Sequence, residues 1–122
     1  MHFTPALLVF TITAFHAVTA MPASAQFTNA RVGSYTPGLG ACGKTSFPSD
    51  FVAALNTAQL GSNLESCFKE ISLTYQGKTI MVQVVDDCPA CAFGNFDISP
   101  AAFATLGDPD LGVLQPVTWN FV

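Results

Sequence analysis

ISLTYQGKTIMVQVVDDCPAC, residues 71–91, decides the fold class. Ile71, Leu73 and Tyr75 alternate with Ser72 and Thr74, the period of two that belongs to a strand with one buried face. Gln76-Gly77 follows as a two-residue turn, and Thr79 to Val85 is a mostly apolar run rich in β-branched residues. Together they predict a β-hairpin. Folding the chain back about that turn sets Cys67 opposite residues 86–88. The run then ends in Cys88-Pro89-Ala90-Cys91, a C-x-x-C spacing.

Outward from the hairpin the signals are shorter. Gly33, Gly38, Gly40 and Gly43 with Pro37 make the stretch around Tyr35 a loop of tight turns. Phe51 to Leu55 is five apolar residues in a row, compatible with a short helix or with a buried strand. Ser99 to Gly107 predicts a helix, with Ser99 accepting a hydrogen bond as N-cap, Pro100 at the first helical position and Gly107 in a left-handed C-terminal turn. Val117 to Val122 alternates as a half-buried strand does. Many short strands with one small helix favour a closed barrel, which leaves no sheet edge exposed.

The N-terminus reads differently. Ala6 to Val18 is an apolar run long enough for the core of a signal peptide and short for a membrane span. Ala23-Ser24-Ala25 fits the small-x-small cleavage pattern, so residues 1–25 are expected to be a signal peptide and 26–122 the single mature domain. The product would be secreted and extracellular, with no membrane attachment after cleavage. Both histidines, His2 and His16, would leave with the leader. Histidine general-base chemistry and histidine-based zinc sites are thereby excluded from the mature chain. The net charge is -4 and the four basic residues are scattered, so no basic patch exists to displace counterions from nucleic acid. Neutral glycans remain acceptable partners.

Four cysteines in a short exported domain read as two disulfides rather than as a thioredoxin-type motif or a zinc site, and no metal or other cofactor is expected. Three connectivities are open. The hairpin pairing favours Cys67–Cys88, leaving Cys42–Cys91 to tie the glycine-rich loop to the segment after the hairpin.

Three stretches carry a resemblance. Gly33-Ser34-Tyr35-Thr36-Pro37-Gly38-Leu39-Gly40-Ala41-Cys42-Gly43 is similar to the Gly-rich opening of expansin-like domains. Val84 to Cys91 resembles their central strand and following loop, and Phe96-Asp97-Ile98-Ser99-Pro100 with Val117-Thr118-Trp119 looks like their closing segment. The small fungal loosenin-like group, a signal peptide and a bare RlpA-like barrel, is the best match, covering roughly residues 31–122. The resemblance implies a mainly β fold: a six-stranded double-psi β-barrel with one short helix, two disulfides and an open groove. It assigns groove roles to Tyr35, Asp86 and Asp97, the last matching the general acid of family-45 glycoside hydrolases.

Each residue also has a structural reading. Asp97 precedes a helix cap and suits the positive end of its dipole. Asp86 and Asp87 can satisfy loop amides at a strand end, and Tyr35 can be a packing lid. Trp119 shares a face with Val117 and Phe121 and belongs to the core. Glycoside hydrolysis uses two carboxyl groups with separate duties. No carboxylate occurs between Gln26 and Lys44, where the hydrolases carry their second aspartate, and Asp50, Glu65 and Glu70 match no expected position. The expected activity is therefore a monomeric, non-hydrolytic module that binds and loosens cellulose or chitin-like chains, leaning away from an enzyme. The alternatives are a weak glycosidase or lytic transglycosylase using Asp97, and a secreted protease inhibitor or effector on the same barrel.

Overall fold

The computed structural model describes residues 25–122, so the expected signal segment lies outside the described residues apart from Ala25. Six strands close into one barrel: β1 (Phe27–Ser34), β2 (Val52–Asn56), β3 (Glu70–Tyr75), β4 (Lys78–Cys88), β5 (Phe96–Ile98) and β6 (Val113–Phe121). Around the barrel the order is β1-β5-β2-β4-β3-β6. β1 with β5 and β2 with β4 run parallel, and the remaining neighbours are antiparallel. This is the six-stranded mixed barrel expected, mainly β.

The hairpin β3–β4 turns through Gln76 and Gly77, both at positive φ (46° and 80°). That is the geometry of a turn whose twist matches the flanking strands, and glycine adopts it without steric penalty. Ile71, Leu73 and Tyr75 point inward, as their alternation predicts. The run after Phe51 resolves as strand β2. All five of its residues are buried because β4 covers one edge and β5 the other. A one-turn helix that the sequence did not announce, α1 (Thr57–Leu60), follows directly. It is capped by the buried Asn56, whose side chain accepts from the Gln59 amide.

The predicted helix is α2 (Pro100–Leu106), but its ends differ from expectation. Ser99 makes no side-chain cap. Its hydroxyl donates instead to the Asp50 carbonyl, tying the helix start to the segment before β2. Gly107 is extended (φ -163°) rather than left-handed. A Cβ there would sit 2.9 Å from Leu114 Cδ2, so the glycine serves close packing against β6. Trp119, Phe96, Phe103, Leu55 and Leu73 fill the barrel interior.

The disulfide pairing corrects the expected Cys42–Cys91 and Cys67–Cys88. The bridges are Cys42–Cys67 and Cys88–Cys91, with Cα separations of 5.6 and 5.4 Å. Ladder pairing ends where the Phe68 amide and the Lys69 carbonyl both bond to Val84. Phe68 then takes a positive φ of 68°, which carries Cys67 away from β4. The Gly-rich loop fills the vacated flank, with the Cys42 amide donating to the Val85 carbonyl at 3.1 Å, so Cys42 meets Cys67. Cys88 meanwhile continues along β4 beside Asn56 of β2, beyond reach of Cys67.

Candidate functional site

Parallel pairing of β1 with β5 sets Gly33 beside Asp97. No side chain rises from Gly33, and the Asp97 carboxylate occupies that space: a Cβ on Gly33 would lie 2.5 Å from Asp97 Oδ1. Burial raises the Asp97 pKa, partly offset by the backbone amide of Gly33, which favours the ionised form. The absence of a side chain at Gly33 is thus what lets the carboxyl fold down onto β1.

Asp97 opens into a cavity of about 430 Å³ walled by Arg31 and Gly33 of β1, Val113 of β6, Asn95, and the turn Cys88 to Ala92. Asp97 is its only carboxylate among the described residues. The 92–95 segment forming one wall is firmly anchored. Trp119 Nε1 donates to the Gly94 carbonyl (2.8 Å), the Gly94 amide donates to Gln59 Oε1 (3.0 Å), and the Arg31 amide donates to Asn95 Oδ1 (2.9 Å). Asn56 Nδ2 donates to the Asn95 carbonyl at 3.0 Å. Phe93, next in the chain to the wall residue Ala92, is 68% exposed and meets Phe27 edge-on with ring centroids 6.0 Å apart. Trp119 is fully buried and takes its place in the core.

The other two residues singled out from sequence lie off this cavity. Asp86 is half-buried at a bulge in β4, where the β2 register shifts between Ala53 and Ala54. Its Oδ1 accepts the Ala41 and Asp87 amides, both at 2.8 Å, so this carboxylate holds the Gly-rich loop against the barrel. Asp87 points elsewhere and accepts from the Thr57 hydroxyl at 2.6 Å. Tyr35 is half-buried, with its hydroxyl shielded and without a hydrogen-bond partner among the described residues. Burial, reinforced by the charges of Asp86 and Asp97, pushes its pKa well above the usual phenol range. Tyr35 therefore stays a neutral phenol within reach of both aspartate charges, and of the three residues only Asp97 lines the cavity.

Sequence reasoning missed Arg31 and Asn95 as wall residues, because the parallel contact that unites them is far from local in the chain. Sulfur and carboxylate atoms of Cys88, Cys91 and Asp97 lie within 4.8 Å of one another. Both sulfurs are committed to the disulfide, so the oxidised protein offers no thiolate to a metal here.

No family model matches the sequence. The solved Streptomyces papain inhibitor superposes with a TM-score of 0.74 at 35% identity, covering 83% of this chain and 97% of that one. An expansin from Clavibacter michiganensis, solved as a mutant in complex with cellohexaose, superposes with a TM-score of 0.70 at 28% identity, over 80% of this chain and 50% of its own. Expansin-like protein 1 of Dictyostelium discoideum is 35% identical over 75 residues, 57% of this chain and 26% of that protein. The chain spans between 26% and 36% of the length of the curated relatives it matches.

Proposed function

The chain belongs to the expansin-like family of double-psi β-barrel proteins, and from that premise we propose that it is a secreted, monomeric polysaccharide-binding module that loosens cell-wall chains without cleaving them. The observation that carries this reading is the cavity with a single carboxylate. Asp97 is present as a half-buried acid, yet among the described residues no second carboxyl group shares the cavity wall. A glycosidase separates its two carboxyl groups by about 5–9.5 Å across the scissile bond. One carboxyl, an arginine and an amide on the wall, with the exposed Phe93 next to it in the chain, suit hydrogen bonding and stacking on a neutral glycan. Binding a displaced chain better than a packed one would shift the polymer toward slippage with no bond broken. The cellohexaose complex of the Clavibacter relative supports a polysaccharide of the cellulose kind as the partner.

The test pairs binding to insoluble cellulose and chitin with measurement of soluble sugar. The expected result is a bound fraction on cellulose, reduced about tenfold in affinity by Asp97→Ala, equivalent to one lost hydrogen bond, and no sugar release. Released sugar that vanishes in Asp97→Ala would overturn the non-hydrolytic reading. No binding to either polymer would overturn the polysaccharide reading.

A second reading rests on the loop before β2. Leu39 (75% exposed) and Phe47 (62% exposed) project from a loop held by the Leu39–Thr45 bridge and the Ser46-to-Gly38 bond, and tethered by Cys42–Cys67. A rigid loop offering apolar side chains suits a protease cleft, and the 35% identical relative is a papain inhibitor. Papain assayed with this chain and with the Leu39→Ser/Phe47→Ser variant separates the readings: inhibition lost in the variant supports this one, and full papain activity throughout removes it.

A further inference from the structure

The two disulfides sit in different mechanical settings. Cys42–Cys67 joins segments 25 residues apart and packs against the core, and it clamps the Gly-rich loop to the barrel together with the Asp86 carboxylate. Cys88–Cys91 closes only a four-residue turn, whose shape has other supports. The Cys91 amide donates to the Cys88 carbonyl (3.0 Å), and the Asn95 amide to the Ala92 carbonyl (2.9 Å). Gly94 and Asn95 are fixed by bonds donated from Trp119, Asn56 and Arg31 and by the bond from the Gly94 amide to Gln59. The turn therefore keeps hydrogen-bonded supports when the sulfur bond opens, and that bond lies on the wall of the open cavity.

We propose that Cys88–Cys91 is a thiol-exchange site, open from the cavity to low-molecular-weight thiols, with the Asp97 carboxyl placed beside the sulfur that departs. Cys88 is 8% exposed and Cys91 more so, which directs attack to Cys91. Arg31 on the same wall attracts an incoming thiolate. The thiolate forms a bond to Cys91 Sγ, the Cys88–Cys91 bond breaks, and its electron pair leaves on Cys88 Sγ. That sulfur lies 3.8 Å from Asp97 Oδ2 and takes the carboxyl proton. A second thiolate attacks the external sulfur of the mixed disulfide and releases Cys91 as a thiolate, which takes a proton from solvent. Two external thiols become one external disulfide, and the protein gains two electrons and two protons.

Burial keeps the Asp97 proton available to higher pH than an exposed carboxyl would. The charged and titratable groups around it are Arg31 and Tyr35 from the β1 side and Asp86 of β4, whose charge reaches Tyr35; β2 contributes none. Once ionised, Asp97 repels both the attacking and the departing thiolate. The rate per thiolate of reagent should then fall as pH rises.

The experiment treats the purified oxidised chain with glutathione between pH 4.5 and 7.5, quenches with an alkylating reagent, and locates the label by peptide mass spectrometry, with circular dichroism alongside. Cys88 and Cys91 are expected to label at least about tenfold faster than Cys42 and Cys67, with the fold retained. The rate per thiolate should rise severalfold toward acid in the wild type and stay flat in Asp97→Asn. Labelling of Cys42 and Cys67 at an equal rate, or loss of the fold as Cys88 and Cys91 label, would overturn the exchange site. Matching pH profiles for the two proteins would overturn the role of Asp97. The comparison of the two disulfides needs no variant, so a misfolded Asp97→Asn does not blunt it.

Discussion

Gly33→Ala tests the packing that creates the site. A Cβ at Gly33 would lie 2.5 Å from Asp97 Oδ1 and 3.5 Å from Asp97 Cγ, with nothing else within 4 Å. The carboxylate must retreat by roughly an ångström to reach ordinary contact, and overpacking of this kind costs about 1–3 kcal/mol. Against that, replacing glycine in a strand whose backbone suits any residue stabilises by about 0.4–1 kcal/mol through the unfolded chain. The net expectation at neutral pH is destabilisation by about 0.5–2 kcal/mol. In an Asp97→Ala background the obstructing oxygen is gone, and the same substitution should stabilise by about 0.4–1 kcal/mol. Urea denaturation of the four proteins measures the coupling directly. A Gly33→Ala effect of the same sign and size in both backgrounds would refute the argument that Gly33 exists to seat the Asp97 carboxyl. The pH dependence has a definite sign. Asp97 has a raised folded pKa, so its contribution to stability is fullest below the unfolded value and is lost as pH rises through the folded one. Displacing the carboxylate from the Gly33 amide removes an influence that favours ionisation, so Gly33→Ala should cost more at pH 7 than at pH 3.5.

Three further outcomes follow from the same geometry. Tyr35→Phe removes a shielded hydroxyl that has no partner among the described residues and should leave stability unchanged or raise it by about 1 kcal/mol in thermal unfolding, whereas a loss would show that the hydroxyl is satisfied. Removing Cys42–Cys67 with paired serines should cost about 3.5 kcal/mol by loop entropy and removing Cys88–Cys91 about 2 kcal/mol, an ordering that urea denaturation would check and that equal losses would contradict. A neutral glycan laid over Asp97 desolvates it further and favours its protonated form, so cellohexaose should bind more tightly as pH falls through the Asp97 titration. Calorimetry at pH 4 and pH 7 measures this, and pH-independent affinity in wild type would place the ligand away from Asp97.

The hairpin was legible because its information is local: alternation in β3, a turn whose two residues accept positive φ, and a β-branched return strand. The cysteine pairing was not, because one left-handed residue, Phe68, ends the ladder before Cys67 and no composition signal marks that position. The caps of α2 were misread for a related reason. Ser99 and Gly107 are the residue types that caps prefer, yet tertiary partners, the Asp50 carbonyl and Leu114, claim them instead. In the candidate site, Asp97 was visible through the motif it shares with expansin-like domains. Arg31 and Asn95 became wall residues only when β1 and β5 paired in parallel, a contact between segments more than 60 residues apart.

The acidic residues explain why the cavity holds one carboxylate and not two. The chain has eight, and five of them carry hydrogen bonds that shape loops or helix ends. Asp50 accepts the Phe47 amide, Glu65 the Asn63 amide, and Asp86 the amides of Ala41 and Asp87. Asp87 accepts the Thr57 hydroxyl, and Asp108 the Asp110 amide. Glu70 is exposed at the start of β3, paired with Gln83, and Asp110 lies in the short helical turn before β6. Moving any of the five to serve a reaction would leave backbone or hydroxyl donors without their partners, a penalty of about 1–3 kcal/mol wherever the donor is shielded from water. Asp97 alone combines a cavity wall, half-burial and a raised pKa with no loop to hold. Such a carboxyl can exchange hydrogen bonds with sugar hydroxyls in either protonation state. Two-carboxyl hydrolysis, by contrast, needs a partner across the ring from Asp97, and the five acidic residues named above already hold loops or helix ends.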